Sequence, residues 1–425
     1  MIYKRIYPLF SKKIENVKDS QNDFNVIISF EDSANRDKFI TKHKDLRILK
    51  KFNLIPSIAV NLKKEQINEF DKEDLIQQIE EDQKLFLSML EFSEFLELDS
   101  YKNSQISFTG KNVRVGIIDN GINKNFPSIS NIISKQFLFS NRRKADDLKN
   151  TKREITHGTV MVSLISNQFK NIDGNYIGIA PNVNYFDFNI SNSSQEYKIS
   201  DILNVYDKIV EENINIDILL ISFVTKDSSD GKDILSLACN LLVDRNIIII
   251  CPAGNFGPDY YTIGSPGAAE KVITVGALTK KLAVPNFSGR GPTLDERIKP
   301  DLCFHGSNVI VPFSESLRVR VSGTSVSASI CVGLIALIKE FDPEITYNDL
   351  IDLLKKTSRD LNYEPKAQGL GTVKFSDLFK ELDLYHEKLS SYNYLTKRSL
   401  VLSIEFLIVL VILFYFFYFF NSWQI

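Results

Sequence analysis

The chain has 425 residues, 44% hydrophobic and 24% charged, and a net charge of −2. This length and apolar content exclude a disordered tail or one small domain and predict two or three folded units. With that charge balance nothing points to nucleic acid. Four scattered cysteines (Cys239, Cys251, Cys303, Cys331) lack CxxC spacing, which argues against a disulfide framework or a zinc site.

Residues 1–20 form an N-terminal segment with Lys4, Arg5, Lys12 and Lys13 around a short apolar run, Ile6 to Phe10. That run is too short for a signal-peptide core, so no cleavable secretion signal is expected. Residues 21–83 read as a small α+β unit. Strands are expected at 24–30, 46–52, 57–62 and 75–81, with helices at 33–43 and 64–70. The order βαββαβ is the ferredoxin-like signature. Residues 84–110 read as a linker, with a hydrophobic-acidic helix over Lys84 to Leu98 and then a polar loop from Asp99 to Gly110.

From Val113 onward strands and helices alternate. Continuous apolar runs at 113–118, 183–188, 216–221, 247–250 and 272–275 have the character of buried parallel strands. Helical stretches at 157–166, 200–213, 233–245, 325–341 and 347–356 separate or follow them. Residues 111–380 are therefore expected to form an α/β domain with a doubly wound, mostly parallel sheet. The charged stretch from Arg142 to Arg153 reads as a solvated loop.

Residues 381–398 precede a last apolar segment, 399–421. Leu400 to Phe420 is 21 residues with one charge, Glu405. At helical rise it spans roughly 31 Å, enough for a bilayer core. Lys388, Lys397 and Arg398 lie before it and no Lys or Arg after it. The positive-inside rule then predicts a single-pass C-terminal anchor, with the preceding domain facing the cytoplasm and the lipid bilayer as a partner.

Three fragments carry chemistry. Val113-Arg114-Val115-Gly116-Ile117-Ile118-Asp119-Asn120-Gly121 ends an apolar strand on an acid. Thr156-His157-Gly158-Thr159 opens a helix with a histidine. Ser322-Gly323-Thr324-Ser325 starts another helix on a serine. A serine hydroxyl needs a neighbouring base to become a nucleophile. Imidazole can take that proton near neutral pH, and a buried carboxylate fixes its tautomer. Asp119, His157 and Ser325 are the catalytic candidates. Asn255, in Ala253-Gly254-Asn255, is the oxyanion candidate together with the Ser325 backbone N–H.

These strings, with Asn286-Phe287-Ser288-Gly289-Arg290-Gly291-Pro292 and Lys299-Pro300-Asp301, resemble subtilisin-like serine proteases (the subtilase family, peptidase family S8) over roughly residues 85–375. The order Asp, His, Ser is that of subtilisin. The resemblance implies an Asp119–His157–Ser325 triad acting on a protein or peptide substrate. It implies that residues 21–83 are a propeptide that inhibits its own enzyme, with self-cleavage near the 84–110 linker. It also implies substrate binding by the strand Ser222-Phe223-Val224-Thr225 and by Gly254. Two glycines usual in that strand are replaced here by Val224 and Thr225, which should narrow the primary specificity pocket. Val326, Ser327 and Ser329 also depart from the family after the nucleophile. They motivate an alternative: a weak or inactive membrane-anchored binding protein on the same scaffold. No cofactor is expected. Structural calcium is common in the family, but no acidic cluster here marks a site. His305 reads as structural. A membrane tether further suggests a maturation or leader-peptide protease.

Overall fold

The computed structural model describes residues 4–16, 23–89, 91–95, 108–139, 155–169, 178–192, 194–313, 317–375, 377–378 and 380–382. The described residues up to 351, with 358–372, form one compact unit, and 352–357 with the described residues between 373 and 382 form a second.

The N-terminal part of the first unit holds α1 (Pro8–Asn16), β1 (Phe24–Phe30), α2 (Ser33–Lys42), β2 (Ile48–Phe52), β3 (Ser57–Leu62), α3 (Lys64–Phe70) and β4 (Ile76–Glu81). The four strands make an antiparallel sheet in the order β2-β3-β1-β4. Residues alternate between two faces of the strands. Val26, Ile28, Ile58 and Val60 join the helices in one apolar cluster. Ile27, Phe52 and Ala59 face away from it, toward helices of the next domain. Helix α1 is an addition to the sequence-based expectation; Phe10 and Ile14 bury it.

Next come β5 (Lys84–Leu87) and β6 (Glu91–Phe95). The helix expected over Lys84 to Leu98 is therefore wrong. This stretch is extended because it adds to sheets formed by distant segments. Strand β5 lies between two partners and β6 pairs with a third. Hydrogen bonding to those edges overrides local helical preference.

The larger domain contains β7 (Arg114–Asp119), β8 (Ile133–Leu138), α4 (His157–Ser166), β9 (Asn184–Asn189), β10 (Tyr197–Lys198), α5 (Ile199–Glu211), β11 (Ile218–Ile221), β12 (Phe223–Thr225), α6 (Ile234–Val243), β13 (Ile248–Pro252), β14 (Ile273–Leu278), β15 (Leu302–His305), β16 (Val309–Pro312), β17 (Arg318–Ser322) and α7 (Thr324–Phe341). Seven strands form a parallel sheet in the order β15-β14-β13-β11-β7-β9-β8. Helices α5 and α6 cluster with Leu219, Ile221, Ile249 and Cys251. Helices α4 and α7 pack together and against β7, β13, β14 and β15. This is the two-sided cover that continuous apolar strands require.

Among the described residues α7 alone is long and apolar enough to cross a membrane, and 89% of it is buried in the core. The expected span at 399–421 lies outside the described residues.

Candidate active site

Sites in open α/β sheets form at the carboxyl ends of the strands. Asp119 is the last residue of β7, Ser222 follows β11, and Asn255 lies three residues beyond β13. The N-termini of α4 and α7 meet this edge and bring His157 and Ser325.

The local sequence explains each placement. The Thr156 hydroxyl caps α4 by accepting from the Thr159 N–H at 3.2 Å, and donates to the Gly121 carbonyl at 2.5 Å. This ties the start of α4 to the turn after Asp119. His157 Nδ1 lies 2.7 Å from Asp119 Oδ2, and its Nε2 lies 3.0 Å from Ser325 Oγ. The other Asp119 oxygen accepts from the Asn120 N–H at 2.7 Å. All three side chains are buried. The structure thus brings the three candidates into one hydrogen-bonded row.

Asn255 is held the right way round for an oxyanion donor. Its Oδ1 accepts from the backbone N–H and the hydroxyl of Thr324, both at 3.0 Å. That leaves Nδ2 buried and without a hydrogen-bond partner. A buried amide donor without a partner is costly in a structure and calls for an explanation; an oxygen that gains negative charge is the partner it suits.

Ser88 was not anticipated from sequence. Strand β5 pairs antiparallel with β12, with Leu87 opposite Phe223, Phe86 opposite Val224 and Leu85 opposite Thr225. The Ser88 N–H approaches the Ser222 carbonyl at 3.4 Å. The Ser88 carbonyl oxygen then accepts from the Ser325 N–H at 3.2 Å and from Ser325 Oγ at 2.9 Å. Just beyond, β6 pairs antiparallel with β17, the strand leading into the Ser325 helix. The chain therefore runs through its own cleft, with the Ser88–Met89 peptide bond at the serine.

Of the other candidates, Phe223 pairs with Leu87 of β5, and its ring packs on Tyr197 with centroids 4.7 Å apart. Val224 and Gly254 lie side by side: a Cβ on Gly254 would sit 3.4 Å from Val224 Cγ2. The Val326 side chain is buried in α7. Ser327 donates to the Phe304 carbonyl at 2.9 Å and Ser329 to the Ser325 carbonyl at 3.0 Å. These departures are absorbed in packing behind the serine. His305 is half-buried, with Nε2 3.0 Å from the Ser307 carbonyl, and burial lowers its pKa. All four cysteines are free and buried, and burial pushes the Cys251 thiol well up, which disfavours a thiolate nucleophile. Among the described residues no group of three or more His, Cys, Asp or Glu could hold a metal ion.

Two further carboxylates bind the N-terminal unit to the larger domain. Glu80 accepts from the Ile234 N–H at 2.9 Å, at the start of α6. Asp82 accepts from the Ser200 N–H at 2.9 Å and hydroxyl at 2.8 Å, at the start of α5. Helix N-termini favour such anions. Burial nevertheless raises both pKa values, and Asp233 raises that of Glu80 further. Nearby, Asp207 on α5 accepts from the Asn53 and Leu54 N–H groups, and Tyr7 donates to Asp230 at 2.5 Å.

The sequence profile described as the subtilase family matches residues 110–371. Serine protease AprX of Bacillus subtilis is 27% identical over 412 residues, covering 87% of this chain and 89% of that protein. The human membrane-bound transcription factor site-1 protease is 27% identical over 240 residues, covering 55% of this chain and 21% of its own length. In structure, the chain is similar to fervidolysin from Fervidobacterium pennivorans, described as a keratinolytic enzyme related to subtilisin. The TM-score is 0.67 at 15% identity, covering 86% of this chain and 62% of that one.

Proposed function

The chain belongs to the subtilase family of serine endopeptidases, and from that premise we propose that it is made as a self-inhibited precursor that cuts its own Ser88–Met89 bond. The observation that carries this reading is the position of the Ser88 carbonyl oxygen, 3.2 Å from the Ser325 backbone nitrogen and 2.9 Å from Ser325 Oγ.

In this reading Ser325 Oγ attacks the Ser88 carbonyl carbon while His157 Nε2 takes the hydroxyl proton. Asp119 holds the imidazole in its tautomer and stabilises the imidazolium. The carbonyl oxygen gains charge, and the Ser325 N–H and Asn255 Nδ2 stabilise it. His157 then gives the proton to the Met89 nitrogen, the C–N bond breaks, and Ser88 remains as an acyl ester on Ser325. Water, deprotonated by His157, attacks the ester and frees the Ser88 carboxylate. Residues 1–88 then act as an inhibitor held by Glu80, Asp82 and β5 until they leave. The 21–83 unit is the propeptide, and Ser222, Phe223, Val224 and Gly254 line the substrate cleft.

The apolar stretch Leu400 to Phe420 would tether the enzyme at a bilayer, with the catalytic domain on the cytoplasmic side. Substrates would then be membrane-proximal, such as precursors carrying leader segments.

A fluorophosphonate probe tests the catalytic assignment. It should label Ser325 once the N-terminal fragment has left, and should label neither Ser325→Ala nor His157→Ala protein. Labelling elsewhere, or none in cleaved protein, would contradict it.

A further inference from the structure

Strand β17 lies between two partners. One edge pairs with β16; the other pairs antiparallel with β6, from Glu91 opposite Ser322 to Phe95 opposite Arg318. Counting Met89 as the first residue after the Ser88–Met89 bond, Glu91 is the third and Phe95 the seventh. Strand β17 ends at Ser322, and only Gly323 and Thr324 separate it from Ser325. Its edge therefore holds a fixed place relative to the nucleophile. Between bond and edge the chain lies directly on Gly323: a Cβ there would sit 2.3 Å from the Ser88 carbonyl oxygen and 2.8 Å from Met89 Cα. Only a residue without a Cβ allows so close a passage. The edge is also held from behind. Val319 and Val321 are buried, and the Ser322 hydroxyl accepts from the Asn308 N–H at 2.9 Å. On β16 the Pro312 carbonyl accepts from Asn167 Nδ2, at the end of α4, at 2.6 Å. Arg318 and Arg320 alternate with the buried valines and are half-exposed. The segment that runs along them carries Glu91, Glu94, Glu97 and Asp99, with no Lys or Arg from 91 to 99.

We infer that the edge of β17 away from β16 is a docking surface for the part of a substrate that follows the cut, and that it takes an extended, acidic segment reaching the seventh residue. The inference rests on the protease reading above and adds a substrate class to it. Residues 91–95 are the first occupant. A strand added to a sheet edge gains affinity from main-chain hydrogen bonds, which most sequences can make. Selection comes from Arg318 and Arg320, because opposite charges across an antiparallel pair stabilise it and like charges destabilise it. Proteins with an extended acidic stretch after the cut are the class this edge fits. Peptides that end close to the cut, or that are basic beyond it, forgo the pairing.

Self-cleavage of the full-length protein tests the docking, read as the rate at which the 89–425 fragment appears by intact mass. Alternate N–H groups of an antiparallel strand face its partner. Phe92→Pro with Glu94→Pro, and Ser93→Pro with Phe95→Pro, therefore differ: only one pair removes donors to β17. That pair should process at least about tenfold more slowly than the other. Arg318→Glu with Arg320→Glu should slow processing about fivefold, and adding Glu91→Lys with Glu94→Lys should restore it to within about twofold of wild type. Rescue of this kind separates charge pairing from a folding defect. In trans, split wild-type protein freed of residues 1–88 should cut a peptide of residues 81–99 at least about fivefold faster than the same peptide carrying Glu91→Lys, Glu94→Lys, Glu97→Lys and Asp99→Lys. If the two proline pairs process alike, the edge of β17 does not hold the segment after the cut, and the inference fails while the protease reading stands. If charge reversal on β17 and in the peptide changes neither rate, the acidic class fails. A wild-type chain that never cuts would remove the reading and the inference together.

Discussion

The carbonyl oxygen of Ser88 sits 2.9 Å from Ser325 Oγ and 3.2 Å from the Ser325 N–H, although 237 residues separate the two serines. In the proposed mechanism these are the nucleophile, the carbonyl it attacks and an oxyanion donor, held together before any reaction. Proximity of this kind supplies a large part of a catalytic barrier reduction.

Loss of the nucleophile or the base should be nearly complete. Ser325→Ala and His157→Ala should each lower kcat by about 10⁶, and Asp119→Asn by about 10⁴. Asn255→Ala should cost about 10² to 10³. The first-order rate of self-cleavage in each full-length variant measures each loss, with thermal unfolding as a control for folding.

Gly158→Ala should damage activity through geometry. A Cβ there would lie 2.7 Å from the Gly121 carbonyl and 3.1 Å from Asp119 Cβ. Relief requires α4 to move, and His157 moves with it. Kinetics should show kcat falling at least tenfold, with a stability loss of about 1–3 kcal/mol from overpacking.

The N-terminal fragment should hold more weakly as pH rises. Glu80 and Asp82 have raised pKa values in the docked state, chiefly through burial. The docked state therefore binds more protons than the separated one, and its stability falls as pH climbs above the usual carboxylate range. After cleavage, co-purification of residues 1–88 with the enzyme should be stronger at pH 5 than at pH 8. Asp82→Ala, which removes the hydrogen bonds to the start of α5, should weaken it by about tenfold at pH 5 and by less at pH 8.

Asp187 predicts a second pH effect, on the fold. It is buried on β9, accepts from the Ile122 N–H and Gln136 Nε2 at 3.0 Å each, and leaves Oδ1 unpartnered. Burial raises its pKa to about 7, opposed by those two hydrogen bonds and assisted by the charge of Asp119. The folded state thus holds a proton the unfolded chain has lost. Its stabilising contribution is complete below the usual aspartate pKa of about 4 and is lost as pH rises through about 7. Asp187→Asn should flatten this part of the pH dependence of Tm. An unchanged slope would contradict the assignment.

The catalytic candidates were legible because each sits where a strong periodic element begins or ends: an apolar strand stopping at Asp119, apolar helices starting at His157 and Thr324. The parallel strands were legible as continuous apolar runs. What was missed depends on partners distant in sequence. Lys84 to Leu98 has helix-compatible residues, and the edge of β12 that recruits β5 lies more than a hundred residues away. The signal that could have served is the extended run Leu85-Phe86-Leu87 ending on a small residue, read against the open edge of a cleft strand. Glu80 and Asp82 read as an ordinary strand end, since the helix N-termini they meet are formed by Ile234 and Ser200. Strand β8, Ile133–Leu138, is polar at three of six positions and carries no continuous apolar run.

The most direct measurement is intact mass of the full-length chain beside its Ser325→Ala variant, followed for hours after folding. Wild type should split into 1–88 and 89–425 while the variant stays whole. A wild-type chain that stays whole, or a Ser325→Ala chain that splits at the same bond, would contradict the account.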